Sequence, residues 1–559
     1  MVSRRGGARE QRGTCMTRTD SRRPRLVALG AAGAMALAGT VAAAAPAAAA
    51  PGAAPVCDTR TNDTVAELTD CVTLDGVMEH LQAFQDAAEA NEGTRASGTP
   101  GFTASADYVG QRLEKAGWEV SRQEFEFPFF QQNSSAFSQA APEPATYAEA
   151  TDYAVMTYSA SGDVTARAQV VDVVIPPVGP ANSTTSGCEA TDFAGFTAGN
   201  IALVQRGTCP FGQKVANAEA AGATAVVVFN EGQEGRTDVV QGTLGGPGVT
   251  IPAIGVSYAL GSTLDGDTLR VAVDAVSEFR TTENVVAELP GATSDNVVMA
   301  GAHLDSVPAG PGINDNGSGS AALIEVAENL TEAELTNTVR FAWWGAEELG
   351  LLGSRHYVTA LTPEQREDLA LYLNFDMVGS PNFARFIYDG DQSTFPAPEG
   401  VPVPAGSDQI EYVFEDFYEQ QELAYEGTEF SGRSDYQAFI GAGIPSGGLF
   451  TGAEGIKQDY QAAAYGGEAG VAYDPNYHQV GDDITNLDPE ALDQNSDAIA
   501  YAVLTLAYDT ERGNGVAGRP VPGGTCEGVP EAREYRISAA QANGGGGLHA
   551  DHDHGGDAV

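Results

Sequence analysis

The 559 residues carry 76 Asp and Glu against 29 Lys and Arg, a formal net charge of -47 at pH 7. A surface of that sign repels phosphates and anionic headgroups, which argues against nucleic acid or anionic lipid as partners. With 42% hydrophobic and 8% aromatic residues the chain is neither disordered nor fibrous, and its length suffices for two or three domains with cores of their own.

At the N-terminus, Arg22, Arg23 and Arg25 precede a stretch from Leu26 to Cys57 without a charged residue. Its apolar part leads into Ala- and Pro-rich sequence with small residues near Ala48–Ala50, the pattern of a cleaved export signal. Being mostly alanine it has weak drive to span a bilayer, so no stable membrane anchor is expected. Export implies a secreted, extracellular protein in an oxidising compartment. Of the cysteines beyond the signal, local pairs 57–71 and 188–209 are the economical arrangement, leaving Cys526 single; spacing alone does not fix connectivity.

Further on, Val77, Leu81 and Phe84 recur at helical spacing, and Tyr108, Leu113 and Ala116 mark a second helix ending at Gly117. The alternating Glu124–Phe130 region predicts a strand, and the Ser-, Ala-, Gln- and Pro-rich residues 131–160 read as a boundary. Short β-like runs follow at 168–175, 201–204, 224–229, 251–256 and 269–273, with a helix near 212–221: a compact, mainly β insert. From Thr282 strands and helices alternate: strands at 296–300, 339–344 and 371–375, helices at 319–330, 410–417 and 492–506. That spacing predicts an α/β domain with a largely parallel sheet covered on both faces.

Acids and histidines fall mainly at the ends of these strands. His303 and Asp305 follow the first, Asp315 sits in a Gly-rich loop opening a helix, Glu347 and Glu348 follow Trp343–Trp344, Asp376 ends the third strand, and His478 precedes the closing helix. Ligands gather beyond the carboxyl ends of strands in such sheets. Zinc takes imidazole nitrogen and carboxylate oxygen, and one bridging aspartate with a His and a carboxylate on each of two ions accounts for five ligands. Of the adjacent glutamates, Glu348 suits the metal and Glu347 the proton transfers; Asp305 suits an acceptor for the His303 imidazole N–H. Taken singly, an Asp-Asn-Gly loop is most often a turn, paired glutamates a solvated helix start, and a loop histidine uninformative. Their recurrence after successive strands is what points to a metallohydrolase. His80, His356 and the C-terminal histidines are read as having no catalytic part.

The runs MAGAHLDSVPAGPGINDNGSGSAA (299–322), FAWWGAEELGLLGSRHYV (341–358), YLNFDMVGSPN (372–382), GRSDYQAF (432–439), GIPSGGLFTGAE (443–454) and YDPNYHQVGDD (473–483) resemble the M28 family of zinc aminopeptidases, of the Streptomyces and aminopeptidase Y types. The insert, through residues 187–230 and IPAIGVS (251–257), resembles a protease-associated (PA) domain, which supports a 188–209 disulfide. The resemblance implies a zinc exopeptidase fold, a mixed, mostly parallel α/β sheet flanked by helices, with the PA domain inserted. The expected organisation is a signal at 1–50, an N-terminal peptidase part at 51–140, the PA insert at 141–280, the catalytic part at 281–512 and a disordered Gly- and His-rich tail at 513–559.

It further implies two Zn2+ ions: one on His303, Asp315 and Asp376, the other on Asp315, Glu348 and His478, with Glu347 as general base. Tyr477 would donate to the developing oxyanion, Arg433 would help receive the substrate's first residue, and Phe450 would help wall an apolar, leucine-preferring pocket. Substrates would be peptides and protein N-termini, acted on by a monomer. A structural calcium, as some relatives bind, is a further expectation, although the acids at Asp482 and Asp483 do not by themselves establish it. Two departures stand out. Relatives carry cysteines flanking the final histidine where this chain has Asn476 and Val480, implying a looser loop, and Tyr436 replaces a histidine. A carboxypeptidase on the same scaffold needs a cation for the terminal carboxylate, and apart from Arg433 few are near the motifs. A cyclase-like relative, working with one zinc, need not keep all five ligands. A non-catalytic binding protein need keep neither them nor Glu347.

Overall fold

The computed structural model describes residues 57, 60–330, 333–396 and 403–522. The expected signal, Cys526 and the expected tail beyond residue 522 lie outside the described residues. Contacts divide the described residues into two compact units: Glu124–Glu283, and those up to Gln123 together with those from Asn284 onward.

In the larger unit the central strand is Thr293–His303. It is flanked in parallel by Asn337–Trp344 on one side and Leu369–Phe375 on the other. Beyond Leu369–Phe375 lie Ser446–Phe450 in parallel, Phe386–Tyr388 antiparallel to that strand, and Glu426–Thr428 at the edge. Val285–Leu289 close the other side, antiparallel to Asn337–Trp344. The sheet is thus mixed, with a parallel centre.

The central strands are buried on both faces, which is why they read as continuous apolar runs. Val298, Ala300 and Ala302 face one core, packed under helices Leu74–Glu89, Gly319–Leu330 and Pro489–Tyr508; Val297 and Met299 face the other. Gly301 is required by close approach: a Cβ there would lie 2.5 Å from the Tyr372 hydroxyl and 2.7 Å from Trp344 Nε1. Helix ends follow local chemistry. Thr99 caps Pro100–Ala116 with Pro at its start, and Gly117, at φ 96°, closes it in the left-handed region.

The smaller unit is built on a sheet in which Gly162–Val170 pairs antiparallel with the first part of Thr268–Leu289 and parallel with Ile201–Gln205. Ala225–Phe229 and Ala253–Val256 continue it in parallel, and Tyr153–Val155 is an antiparallel edge. Helix Phe211–Ala220 packs on this sheet. Cys57–Cys71 and Cys188–Cys209 are bonded.

Two local expectations shift. The strand expected at 168–175 is Gly162–Val170, because the pairing partner, Thr268–Leu289, meets residues 162–167. The Glu124–Phe130 strand is part of a 23-residue strand, Glu119–Ala141. Its polar second half pairs through residues 137–139 with Ala145–Tyr147 and is largely exposed, so its composition resembles a loop.

Candidate metal centre

The neighbours of the central strand lie on opposite sides of it and come later in the chain, so the strand order reverses there, the place where open α/β sheets form a crevice at the carboxyl ends. His303 ends the central strand; Glu347 and Glu348 follow one neighbour, and Asp376 follows the other. Asp315 sits in the wide turn Ile313–Ser318 that opens helix Gly319–Leu330, with non-helical backbone and a cis bond to Asn316.

Asp315 faces two ways. Its Oδ1 is 3.2 Å from His303 Nε2, and its Oδ2 is 3.3 Å from His478 Nε2. His303 Nε2 is also 3.3 Å from Asp376 Oδ1, and His478 Nε2 is 3.0 Å from Glu348 Oε2. Ligand atoms about 2.0–2.1 Å from one tetrahedral zinc lie about 3.4 Å from one another. The observed spacings thus suit two adjacent ions sharing Asp315. Buried Glu348 Oε1 and Asp376 Oδ1 accept no hydrogen bond, and the donor set is the nitrogen and oxygen set that zinc prefers. These residues fit a pair of zinc ions.

Glu347 is 2% exposed, with Oε2 3.9 Å from His303 Nε2, and its backbone N–H donates to Asp305 Oδ1 at 3.1 Å. The structure refines the expectation for Asp305. His303 Nδ1 meets the Asp305 backbone carbonyl at 3.0 Å, while the nearest carboxylate oxygen is 3.7 Å away. Asp305 therefore steadies the imidazole through its main chain and the Glu347 loop through its side chain.

Electrostatics inside the cluster favour a cation. Burial lowers the affinity of His303 for a proton, yet Asp376 and Glu347 hold its pKa well above the usual range. Burial likewise opposes charge on His478, but Glu348 and Asp315 push it up to about 10. Burial alone would raise Asp315; hydrogen bonds from His303 and His478 hold it below the carboxylate range. Burial lifts Glu347 well above that range against the pull of His303, with Asp435, Asp376 and Glu348 adding to the rise, and burial beside Asp315 pushes Glu348 up to about 7. Three non-glycine residues in or beside the site hold left-handed backbone: Ala346 at φ 55°, Met377 at 54° and His478 at 58°. Strain of this kind persists where surrounding structure fixes it, and functional sites are where it collects.

Several supporting residues escaped the sequence. Asp482 accepts from the backbone N–H groups of Asn314 (2.8 Å) and Asp315 (3.0 Å), and Asp474 accepts from Asn314 Nδ2 at 2.7 Å. Asn486 Nδ2 joins the two acids. Asp482 thus holds the Asp315 loop, while Asp483 Oδ1 accepts from the backbone N–H and hydroxyl of Thr485. Arg95, fully buried, donates to the carbonyls of Leu304, Pro311 and Gly312, pinning both ends of the connection between His303 and Asp315. Ser434 donates to Asp376 Oδ2 at 2.5 Å and receives from Asn374. Asp and Asn before turns and an Arg in a loop carry no sequence signal of such roles.

Among the other expected residues, Tyr477 stacks on His478 with ring centroids 3.8 Å apart, and burial beside Asp315 and Glu348 holds its phenol pKa well up. Phe450 ends its strand and packs against Phe386. Arg433 Nη1 is 3.1 Å from Glu454 Oε1, so its charge is partnered.

Sequence comparison gives this arrangement a family. Residues 284–503 match Peptidase family M28, and residues 167–264 match the PA domain. A Pseudomonas aeruginosa protein named Aminopeptidase is 48% identical over 452 residues, 79% of this chain and 83% of that one. The chain belongs to peptidase family M28. Leucine aminopeptidase 2 of Trichophyton rubrum is 42% identical over 457 residues, covering 79% of this peptidase and 86% of the relative. A solved structure described as BSAP, a zinc aminopeptidase from Bacillus subtilis, is similar at 25% identity with a TM-score of 0.51, covering 77% of this chain and 94% of that one. The peptidase is an enzyme with the zinc-dependent active site and aminopeptidase activity of its family.

Proposed function

We propose that this peptidase is a secreted two-zinc aminopeptidase that removes bulky apolar residues, leucine above all, from the N-termini of peptides. The observation that carries the reading is Asp315, whose two oxygens lie 3.2 and 3.3 Å from His303 and His478 and so suit a bridge between two ions. The names of the Trichophyton rubrum and Bacillus subtilis relatives favour leucine and zinc respectively. Export rests on the expected signal; among the described residues no helix is long and apolar enough to cross a membrane.

His303, Asp315 and Asp376 would hold one ion, and Asp315, Glu348 and His478 the other. Zinc bound there supplies a water of lowered pKa and a Lewis acid for the scissile carbonyl. Glu347 takes the proton of the attacking water and delivers it to the leaving amine; burial, which lifts its pKa, suits it to both transfers. Tyr477, held as a neutral phenol, donates to the developing oxyanion. The Asp376 neighbourhood receives the free amine, Arg433 helps receive the first residue, and Phe450 lines the apolar pocket. A carboxypeptidase reading gains little, because Arg433 is held by Glu454.

The test compares free and N-acetylated leucyl-peptides with the zinc-loaded enzyme and with Glu347→Gln. Cleavage of the free-amine substrate alone, reduced about 10²- to 10⁴-fold in the variant while zinc is retained, is the expected result. Equal cleavage of both substrates, or zinc loss in the variant, overturns the assignment.

A further inference from the structure

A second nitrogen–oxygen cluster lies in the larger unit, where helix Leu74–Glu89 packs on helix Gly319–Leu330. His80 is fully buried, and its Nε2 has no hydrogen-bond partner. That nitrogen points at two carboxylates: Glu325 Oε2 at 3.5 Å and Glu328 Oε2 at 4.0 Å. A lone buried imidazole nitrogen against two acids leaves a polar atom unsatisfied, which native cores rarely tolerate.

We propose that His80, Glu325 and Glu328 form a third, structural zinc site that clamps these two helices, separate from the active-site ligands. Three observations carry it. The first is spacing: 3.5 Å is longer than a good hydrogen bond but close to the roughly 3.4 Å between ligands on a tetrahedral zinc, and 4.0 Å needs only a small closure on the more exposed side.

The second is orientation of the ligands. His80 Nδ1 is 2.8 Å from the Tyr108 hydroxyl; as donor to it, the ring leaves the Nε2 lone pair facing the acids. A hydrogen bond from the far ring nitrogen is what fixes a ligating imidazole. Glu325 Oε1 is anchored by the Thr73 backbone N–H at 3.2 Å and the Thr73 hydroxyl at 3.4 Å, leaving Oε2 for the ion. The carboxylate lies over Gly76, where a Cβ would sit 2.2 Å from Oε1, so glycine makes the seat possible.

The third is charge. Arg112 engages Glu328 through Nε and Nη2 and also reaches Glu79, so one guanidinium serves two acids and Glu325 receives none of it. Each Glu328 oxygen keeps a lone pair beyond the one given to Arg112. A divalent ion with water in the fourth position, towards solvent on the Glu328 side, balances the cluster.

The experiment counts zinc in the full chain after dialysis against a weak chelator, for the wild type, His80→Gln and Glu325→Gln. Because the comparison is between variants, zinc held elsewhere cancels. The expected result is one equivalent fewer in each variant, unchanged kcat on leucyl-peptides, and a Tm that rises with added zinc more in the wild type than in either variant. Equal zinc content in all three proteins overturns the site. So does a Tm drop in the variants that is independent of zinc, which identifies a simple His80–Glu325 ion pair. Loss of activity together with two or more equivalents in His80→Gln also overturns it, because the histidine would then serve the active-site ions.

Discussion

Both units place parallel, fully buried strands side by side, yet the polar groups at the strand ends are treated in opposite ways. In the smaller unit they are paired: Gln205 donates to the Val174 and Glu231 carbonyls, Glu231 accepts from the N–H groups of Asn182 and Ser183, and Lys214 donates to the Ser186 carbonyl. Among its described residues, the one buried side-chain polar atom without a hydrogen bond is Gln233 Oε1. In the larger unit several such atoms gather at one end of the sheet, on Asp305, Glu348, Asp376 and His478, while others, His80 Nε2 among them, lie elsewhere. The same architecture is a closed scaffold where its polar groups satisfy one another and a reaction site where they are left for a cation.

The sharpest way to break that contrast is Asp315→Asn. If one carboxylate holds both halves of the centre together, the variant loses zinc at both positions and on the order of 10³-fold or more in kcat/KM, as read by metal analysis and leucyl-peptide hydrolysis. An effect confined to one equivalent would mean that the two halves are independent.

A smaller effect is expected from replacing Cys188 and Cys209 by alanine. Opening that bridge should destabilise the smaller unit by about 2–4 kcal/mol, seen as an earlier unfolding transition, while zinc content and hydrolysis of short peptides hold. Parallel loss of zinc would show that the units are not separable.

The smallest effect concerns Lys214, whose pKa burial lowers to about 8. The unfolded chain, with a lysine near 10.4, binds more protons between those values, so stability rises as pH increases from about 8 to about 10.4 and is flat with respect to this group below 8. Lys214→Met should remove that slope in pH-dependent chemical unfolding; an unchanged slope would mean that the ammonium is better solvated than its burial implies.

Much of the candidate centre was legible because the residues proposed as its ligands are tied to local pattern. An apolar run that ends in His303, Glu347–Glu348 or Asp376 announces both the strand and the polar end in one stretch of chain. The supports were not legible, for the opposite reason. Asp482 serves backbone groups 167 and 168 residues away, and Arg95 serves carbonyls more than 200 residues away. His80, read from sequence as having no catalytic part, gains meaning only from Glu325, which sits on another helix. The Glu119–Ala141 strand was half hidden because its second half is mostly polar and exposed, with Phe137 the buried exception.

The loop that carries Tyr477 and His478 has Asn476 and Val480 where a sulfur crosslink was the comparison, and it is nonetheless tied down. Asn476 is held by Asp474 and by Asn486, which in turn holds Asp482 under the Asp315 turn. The fastening beside the reaction centre is therefore made of amides and carboxylates. Thiols and mild oxidants find no crosslink to cleave or form in this loop.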